Sequence, residues 1–252
     1  MERKIACITG ATSGIGKATA IALAKLGYAI IATGRREDRL KNLTKELPFG
    51  TDLLTLSFDV REKKAVQKAL GNLPAAWQDI DVLVNNAGNA HGLDPIQNGS
   101  LDDWDAMIDI NVKGLLYVSK EIMPNMIARK SGTIVNIGSI AGKEVYPNGN
   151  VYCASKHAVD AITQGMRMDL NPFGIRVIGV HPGLVETEFS LVRFKGDKER
   201  SKKVYDGFQP LTPEDIADTI AFAVSRPAHV VLADIVMLPT AQASATVITK
   251  NL

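Results

Sequence analysis

The sequence predicts an α/β fold, a doubly wound parallel sheet of about seven strands with helices on both faces. Three observations carry this expectation. Short apolar runs alternate with helical patterns along the whole chain, without a linker and without internal repeats beyond that alternation. The first run leads through Gly10-Ala11-Thr12-Ser13-Gly14-Ile15-Gly16 into a helical pattern, the strand, glycine turn and helix order of a phosphate-binding loop. Finally, 252 residues suit one large domain, long enough to bury a core without disulfide or metal staples.

Residues 4–9 read as the first strand, and the helical pattern after the glycines runs through Leu26. Residues 28–33 are the second strand, ending in Gly34-Arg35-Arg36, with a helix expected over 36–47 and Glu37 and Asp38 facing its positive N-terminus. Residues 52–58 are the third strand, Asp59-Val60 its carboxyl edge, and 61–70 the next helix. Residues 80–84 are the fourth strand, leading to Asn85-Asn86-Ala87-Gly88. Residues 101–129 form one or two long helices, with Asn111 among apolar neighbours. A buried asparagine needs partners, so Asn111 fits either a bond across a helix bend or a catalytic role. Residues 132–137 are the fifth strand, ending in Gly138-Ser139, followed by a loop over 141–149 and a helix over 150–170. Residues 175–180 are the sixth strand, closed by His181-Pro182-Gly183. The stretch 185–209 is rich in charge and has no clear period, which in a compact domain suggests a lid. Thr212-Pro213 starts a helix with Pro at its first position, and residues 230–238 are the last strand. The whole of residues 1–252 is thus expected to form a single Rossmann-type domain with a substrate lid at about 185–209.

Composition excludes several classes of function. Lys and Arg number 29 against 27 Asp and Glu, interspersed, so no basic stripe offers itself to nucleic acid. Asp234 and Pro239 interrupt the least charged stretch, so no membrane span is expected, and Met1-Glu2-Arg3-Lys4 lacks a signal peptide's apolar core. Cys7 and Cys153 fall in a strand and a helix without metal spacing, which argues for a reducing compartment, the cytoplasm, and for no metal centre. Cys153, His157 and His181 are expected to be structural.

The chemistry concentrates in Tyr152-Cys153-Ala154-Ser155-Lys156, where a tyrosine and a lysine four residues apart share one helix face. A phenol titrates near ~10, and a close ammonium favours the phenolate, so the pair is a candidate proton-transfer device. At the second strand's end, Arg35 and Arg36 occupy the place where an NAD site offers an acid to the ribose hydroxyls, and two guanidiniums suit the 2′-phosphate of NADP. A solvated helix surface is the plainer alternative for both.

Thr9-Gly10-x-x-x-Gly14-Ile15-Gly16, Asn85-Asn86-Ala87-Gly88, Asn111, Ser139, Tyr152-x-x-x-Lys156 and Pro182-Gly183 together resemble the short-chain dehydrogenase/reductase family, over essentially the whole chain and in the family's order. The resemblance implies that Tyr152 is the general acid/base and that Ser139 positions the substrate oxygen. Lys156 would hold the nicotinamide ribose and lower the tyrosine's pKa, and Asn111 would support a water relaying protons to that lysine. For the cofactor, it implies contacts from Gly10, Thr12, Ser13, Gly14, Ile15 and Gly16, from Asp59 and Val60 at the adenine, and from Asn86, Ala87 and Gly88 near the ribose. Pro182, Gly183, Val185 and Thr187 would lie on the carboxamide side. Ser13 stands where many NADP-preferring members carry a basic residue, leaving the phosphate to Arg35 and Arg36. Within the family, Ala32-Thr33-Gly34-Arg35-Arg36, the run from Pro182 to Ser190 and Val192-Arg193-Phe194-Lys195-Gly196-Asp197 are similar to NADP-dependent serine and 3-hydroxy acid dehydrogenases that also accept L-allo-threonine. The expected activity is oxidation of a short 3-hydroxy acid, with Arg193 or Lys195 binding its carboxylate. A reductase of another carbonyl and a non-enzymatic NADP sensor are the alternatives. The weakly charged tail, residues 240–252, is expected to pack on another subunit, and the family implies a homotetramer.

Overall fold

A computed structural model describes residues 3–251, so Met1 and Glu2, where the N-terminal reading starts, and the tail's Leu252 lie outside the described residues. Seven parallel strands form one sheet: β1 (Ile5–Ile8), β2 (Ala29–Gly34), β3 (Leu53–Ser57), β4 (Val82–Asn85), β5 (Thr133–Ile137), β6 (Arg176–Pro182) and β7 (Asp234–Met237), in the spatial order β3-β2-β1-β4-β5-β6-β7. The order reverses beside β1, and the crevice at such a reversal, outside the carboxyl ends of the strands, is where ligands bind on open α/β sheets. The four strands β1, β4, β5 and β2 are buried almost throughout, as strands covered on both faces must be, whereas β3 and β7 are half-exposed edges.

Successive strand residues feed opposite layers. Ile5, Cys7, Ile31 and Leu83 face one core with residues of α3 (Lys63–Leu70), α5 (Leu115–Arg129) and α6 (Asn150–Leu170). Ala6, Ile8, Ile30 and Val84 face the other, with α1 (Gly14–Lys25), α2 (Glu37–Leu43) and α9 (Pro213–Val224). Thr212 and Asp215 close a reciprocal capping box on α9, with Pro213 at its first position. The remaining helices are α4 (Leu101–Ile108), α7 (Phe189–Arg193) and α8 (Lys198–Lys203).

Two sequence expectations are corrected in extent. The last strand, expected over 230–238, pairs only at Asp234–Met237: the Gly179 N–H of β6 opens the ladder at the Ala233 carbonyl, while before it the carbonyls of Val177 and Val230 accept from the guanidiniums of Arg167 and Arg176. The helix expected to reach Leu47 ends at Leu43, where the N–H groups of Lys45 and Glu46 tighten onto carbonyls three residues back. The stretch 101–129 resolves into α4 and α5 joined by a π-helical turn, Asp109–Gly114, which holds Asn111. No described helix is long and apolar enough to cross a membrane.

Candidate active site

A cavity of about 510 Å³ opens at the carboxyl edge of the sheet. Its wall includes every residue that the sequence singled out for the site except Gly16, Asn111 and Lys195. Each of these three has a definite place elsewhere.

Gly16 lies behind the turn. A Cβ there would sit 2.4 Å from both Asn86 Nδ2 and the Gly10 carbonyl oxygen, so only glycine fits. Asn86 Nδ2 donates to the carbonyls of Thr9 (2.9 Å) and Gly10 (3.3 Å), while Thr9 Oγ1 accepts from the N–H groups of Asn86 and Ala87, both at 3.0 Å. The Asn86 amide therefore stitches β4 to the turn after β1, a commitment that motif reading did not disclose. Gly10 and Gly14 have φ of +68° and +52°, which L side chains resist. The turn thus has the tight, Cβ-free backbone that a pyrophosphate approaches, with the start of α1 behind it.

One end of the cavity is cationic. Arg36 donates from Nε (3.2 Å) and Nη2 (2.9 Å) to Thr12 Oγ1 and from Nη2 to Ser13 Oγ (2.7 Å), so the turn fixes its guanidinium. Arg35 is more than half exposed and lies 3.7 Å from Asp59. Burial works against the Asp59 carboxylate, but hydrogen bonds from Arg61 outweigh it and hold its pKa below the ordinary value. Glu188, read from sequence only as part of a run, reaches this end too. Its Oε2 accepts from Arg36 Nη1 (2.8 Å) and its Oε1 from Arg39 Nη1 (2.7 Å). Those bonds, Arg36's first, bring the carboxyl down to about 2.

At the opposite end Tyr152 is 8% exposed, Ser139 is 9% and Lys156 is 6%, all on the cavity wall. Burial pushes the Tyr152 phenol above its ordinary value, and Tyr146 adds to this; the Ser139 hydroxyl and the Arg193 guanidinium pull it down. Lys156, four residues on, lies on the same buried wall. Its Nζ donates to the Ile137 carbonyl at 2.9 Å, and burial lowers its own pKa to about 8. Arg193 also faces the phenol, its guanidinium carbon lying 5.5 Å from the ring centres of both Tyr152 and Tyr146.

Arg193 is itself held. Nε donates to the Gly92 carbonyl (3.2 Å) and Nη2 to the Tyr146 hydroxyl (2.9 Å), leaving three of its five N–H groups free at the cavity. Tyr146 was not identifiable from sequence, since it falls in an aperiodic loop; its ring packs where a side chain at Gly149 would be, which brings it beside Tyr152. Lys195 turns away and pairs with Asp103 at 2.9 Å, so of the two cations proposed for a carboxylate only Arg193 reaches the site. Phe189, the first residue of α7, stacks on Tyr152 with ring centres 5.6 Å apart.

Asn111 stands behind the wall. Its Oδ1 accepts from the Asn89 N–H (2.9 Å), and its Nδ2 donates to the Asn89 carbonyl (2.9 Å) and Ser155 Oγ (3.0 Å). Both side-chain N–H groups are used, so the amide clamps the segment after Gly88. Cys153 is a fully buried packing residue, as expected. His181 is also fully buried, against Gly138, with Nε2 2.6 Å from Asp234; burial and the Lys143 ammonium lower its pKa. Asp160 and Asp234 share Lys143 Nζ at 2.8 and 2.7 Å, so a lysine supplies the positive charge in that group.

Ala241 and Gln242 are buried on their own chain, Gln242 Oε1 accepts from the Leu184 N–H, and Gln242, Ala245 and Ile248 line the cavity. Ala243 and Val247 stay exposed.

With this geometry the comparisons can be read. The family model for short chain dehydrogenases matches residues 4–197. The NADP-dependent 3-hydroxy acid dehydrogenase YdfG of Salmonella typhi is 46% identical over 242 residues, which cover 96% of this chain and 97% of that protein. The NADP-dependent 3-hydroxy acid dehydrogenase of Schizosaccharomyces pombe is 42% identical over 248 residues, 97% of this chain and 96% of that protein. The closed form of serine dehydrogenase complexed with NADP+ superposes with a TM-score of 0.91 at 42% identity, over 98% of this chain and all of that one. The chain belongs to the short-chain dehydrogenase family.

Proposed function

From that membership we propose that the protein is an NADP-dependent oxidoreductase of short 3-hydroxy acids, compounds of the serine, L-allo-threonine, 3-hydroxypropionate or 3-hydroxyisobutyrate type. The observation that carries this reading is the tethered Arg193. It offers three free N–H groups to a carboxylate within one cavity that also holds Tyr152 and, at its far end, Arg35 and Arg36.

NADP fits the residues present. The glycine turn leaves room for a pyrophosphate, Arg35 and Arg36 with Ser13 would hold the 2′-phosphate, and Asp59 and Val60 would flank the adenine. Asn86 to Gly88 border the ribose, and Pro182, Gly183, Val185 and Thr187 border the carboxamide. When bound, the nicotinamide receives or supplies the hydride. Tyr152 exchanges the substrate's hydroxyl proton at its phenolic oxygen. Ser139 donates to the same substrate oxygen, so two hydroxyls stabilise the developing alkoxide. Lys156, with one N–H on Ile137, has two more with which it would hold the ribose. Asn111 acts from behind as a positioning residue, and Arg193 fixes the substrate's far end. Residues 185–209 serve as the lid, which excludes water when closed. We further read the enzyme as a cytoplasmic homotetramer.

The test is a spectrophotometric panel pairing NADP and NAD with L-serine, D-serine, L-allo-threonine, 3-hydroxypropionate, 3-hydroxyisobutyrate and neutral alcohols. Turnover of hydroxy acids with NADP, lost in Tyr152→Phe, is the expected result. Equal use of neutral alcohols would overturn the substrate class, and equal use of NAD the role of Arg35 and Arg36.

A further inference from the structure

The cationic end of the cavity contains an anion of its own. Glu188 directs one carboxylate oxygen to each of two arginines, and the two differ in position. Arg36 lies on the cavity wall, fixed by Thr12 and Ser13. Arg39 is three residues further along, in the first turn of α2, and is not part of the wall. Side chains of all three are about two-fifths exposed, at 40–41%, so water can replace either contact at modest cost.

We propose that Glu188 is a specificity-determining residue that competes with the cofactor's 2′-phosphate for Arg36, and that Arg39 is the side chain that draws it away. The inference rests on the reading that Arg35 and Arg36 take that phosphate. A phosphate at Arg36 carries close to two negative charges, and a carboxylate sharing the guanidinium places like charges side by side. Glu188 can yield Arg36 and keep Arg39 without moving its backbone far, since each oxygen already serves one arginine. That retention matters, because the next residue is Phe189, whose ring packs on Tyr152. NAD, with a hydroxyl in place of the phosphate, has no stake in the exchange.

A binding cycle with NADP+ and NAD+ on the full-length protein tests this. Glu188→Gln should tighten NADP+ about two- to fivefold, the range that partly exposed ion pairs support, and leave NAD+ unchanged. Arg39→Gln should weaken NADP+ by a similar factor, since Glu188 then has only Arg36. In the double variant, Arg39→Gln should have no further effect, because its role is to draw off a carboxylate that is no longer there. Glu37→Gln, whose carboxylate pairs with Lys41, removes the same charge from α2, the helix that carries Arg39, and should leave binding unchanged. Weaker NADP+ binding in Glu188→Gln, or an Arg39→Gln loss that persists in the double variant, would overturn the proposal. A wild type that binds NAD+ as well as NADP+ would overturn the underlying reading and the proposal with it. Clear NADP+ preference with an unchanged Glu188→Gln variant would overturn the proposal alone.

Discussion

Replacing Arg193 with glutamine separates two things that this guanidinium does. The first is recognition. Charge-assisted hydrogen bonds contribute about 1.5–3 kcal/mol each, and a half-buried site sits toward the lower end. Losing a bidentate contact to a carboxylate should therefore cost about 2–3 kcal/mol, or roughly 30- to 150-fold in kcat/KM for a 3-hydroxy acid. The second is electrostatic. Arg193 is one of the two groups that pull the Tyr152 phenol down, so its removal raises the phenol's pKa further. Alcohol oxidation needs the phenolate, so its pH profile should move to higher pH for every substrate, charged or neutral. The recognition loss falls only on substrates with a carboxylate. The assay is initial-rate oxidation of 3-hydroxypropionate and of a neutral alcohol of similar size, across a pH series, at saturating NADP+. The ratio of the two kcat/KM values isolates recognition, and the shared displacement of the profiles isolates the phenol. Equal losses on both substrates at every pH would refute the carboxylate contact, and undisplaced profiles would refute the electrostatic one.

Three further outcomes are expected. Gly16→Ala gains about 1 kcal/mol of helix propensity but forces a contact of 2.4 Å on Asn86 and the Gly10 backbone. Overpacking and the weakened Asn86 bonds leave it about 2–4 kcal/mol less stable, a fall of roughly 10 °C in Tm with loss of NADP binding. A melting curve within about 2 °C of wild type would contradict this. Lys156→Met should abolish turnover yet stabilise the fold at neutral pH by about 1–2 kcal/mol, the net of a buried ammonium removed and the Ile137 carbonyl left unpaired. The sign with pH follows from the lowered lysine. The folded chain releases this proton near 8 and the unfolded chain near 10.5, so wild-type stability rises across that window and the variant's advantage should fade there in pH-dependent melts. Thr212→Ala removes the capping box of α9 and should lower Tm by about 2–4 °C while leaving kcat unchanged.

Local rules made much of the molecule legible. The helix expected over 150–170 spans those residues, because its periodic apolar face and the Asn171-Pro172 stop are local properties. The glycine turn and Arg35-Arg36 were readable for a similar reason, since a parallel sheet sends strand ends to one edge whatever the loops do. The last strand is shorter than its pattern because β-propensity carries no information about Arg167 and Arg176, which bond the carbonyls of Val177 and Val230. Tyr146 and Glu188 were invisible as site residues, because a tyrosine in a loop and a glutamate in a charged run are ordinary until their neighbours are known.

By itself, then, the sequence determined the α/β architecture, the turn that can receive a dinucleotide and the helix face shared by Tyr152 and Lys156. These follow from backbone sterics and residue periodicity, which act over a few positions. Only the tertiary structure decided that Arg193 also faces the phenol, which of Arg193 and Lys195 reaches the cavity, and what Asn86, Asn111 and Glu188 hold. Those outcomes depend on burial and on distances between residues far apart in the chain, and both electrostatics and hydrogen bonding are set by them. Arg193 stands 5.5 Å from the Tyr152 ring although 41 positions separate the two in sequence, and no local pattern encodes that approach.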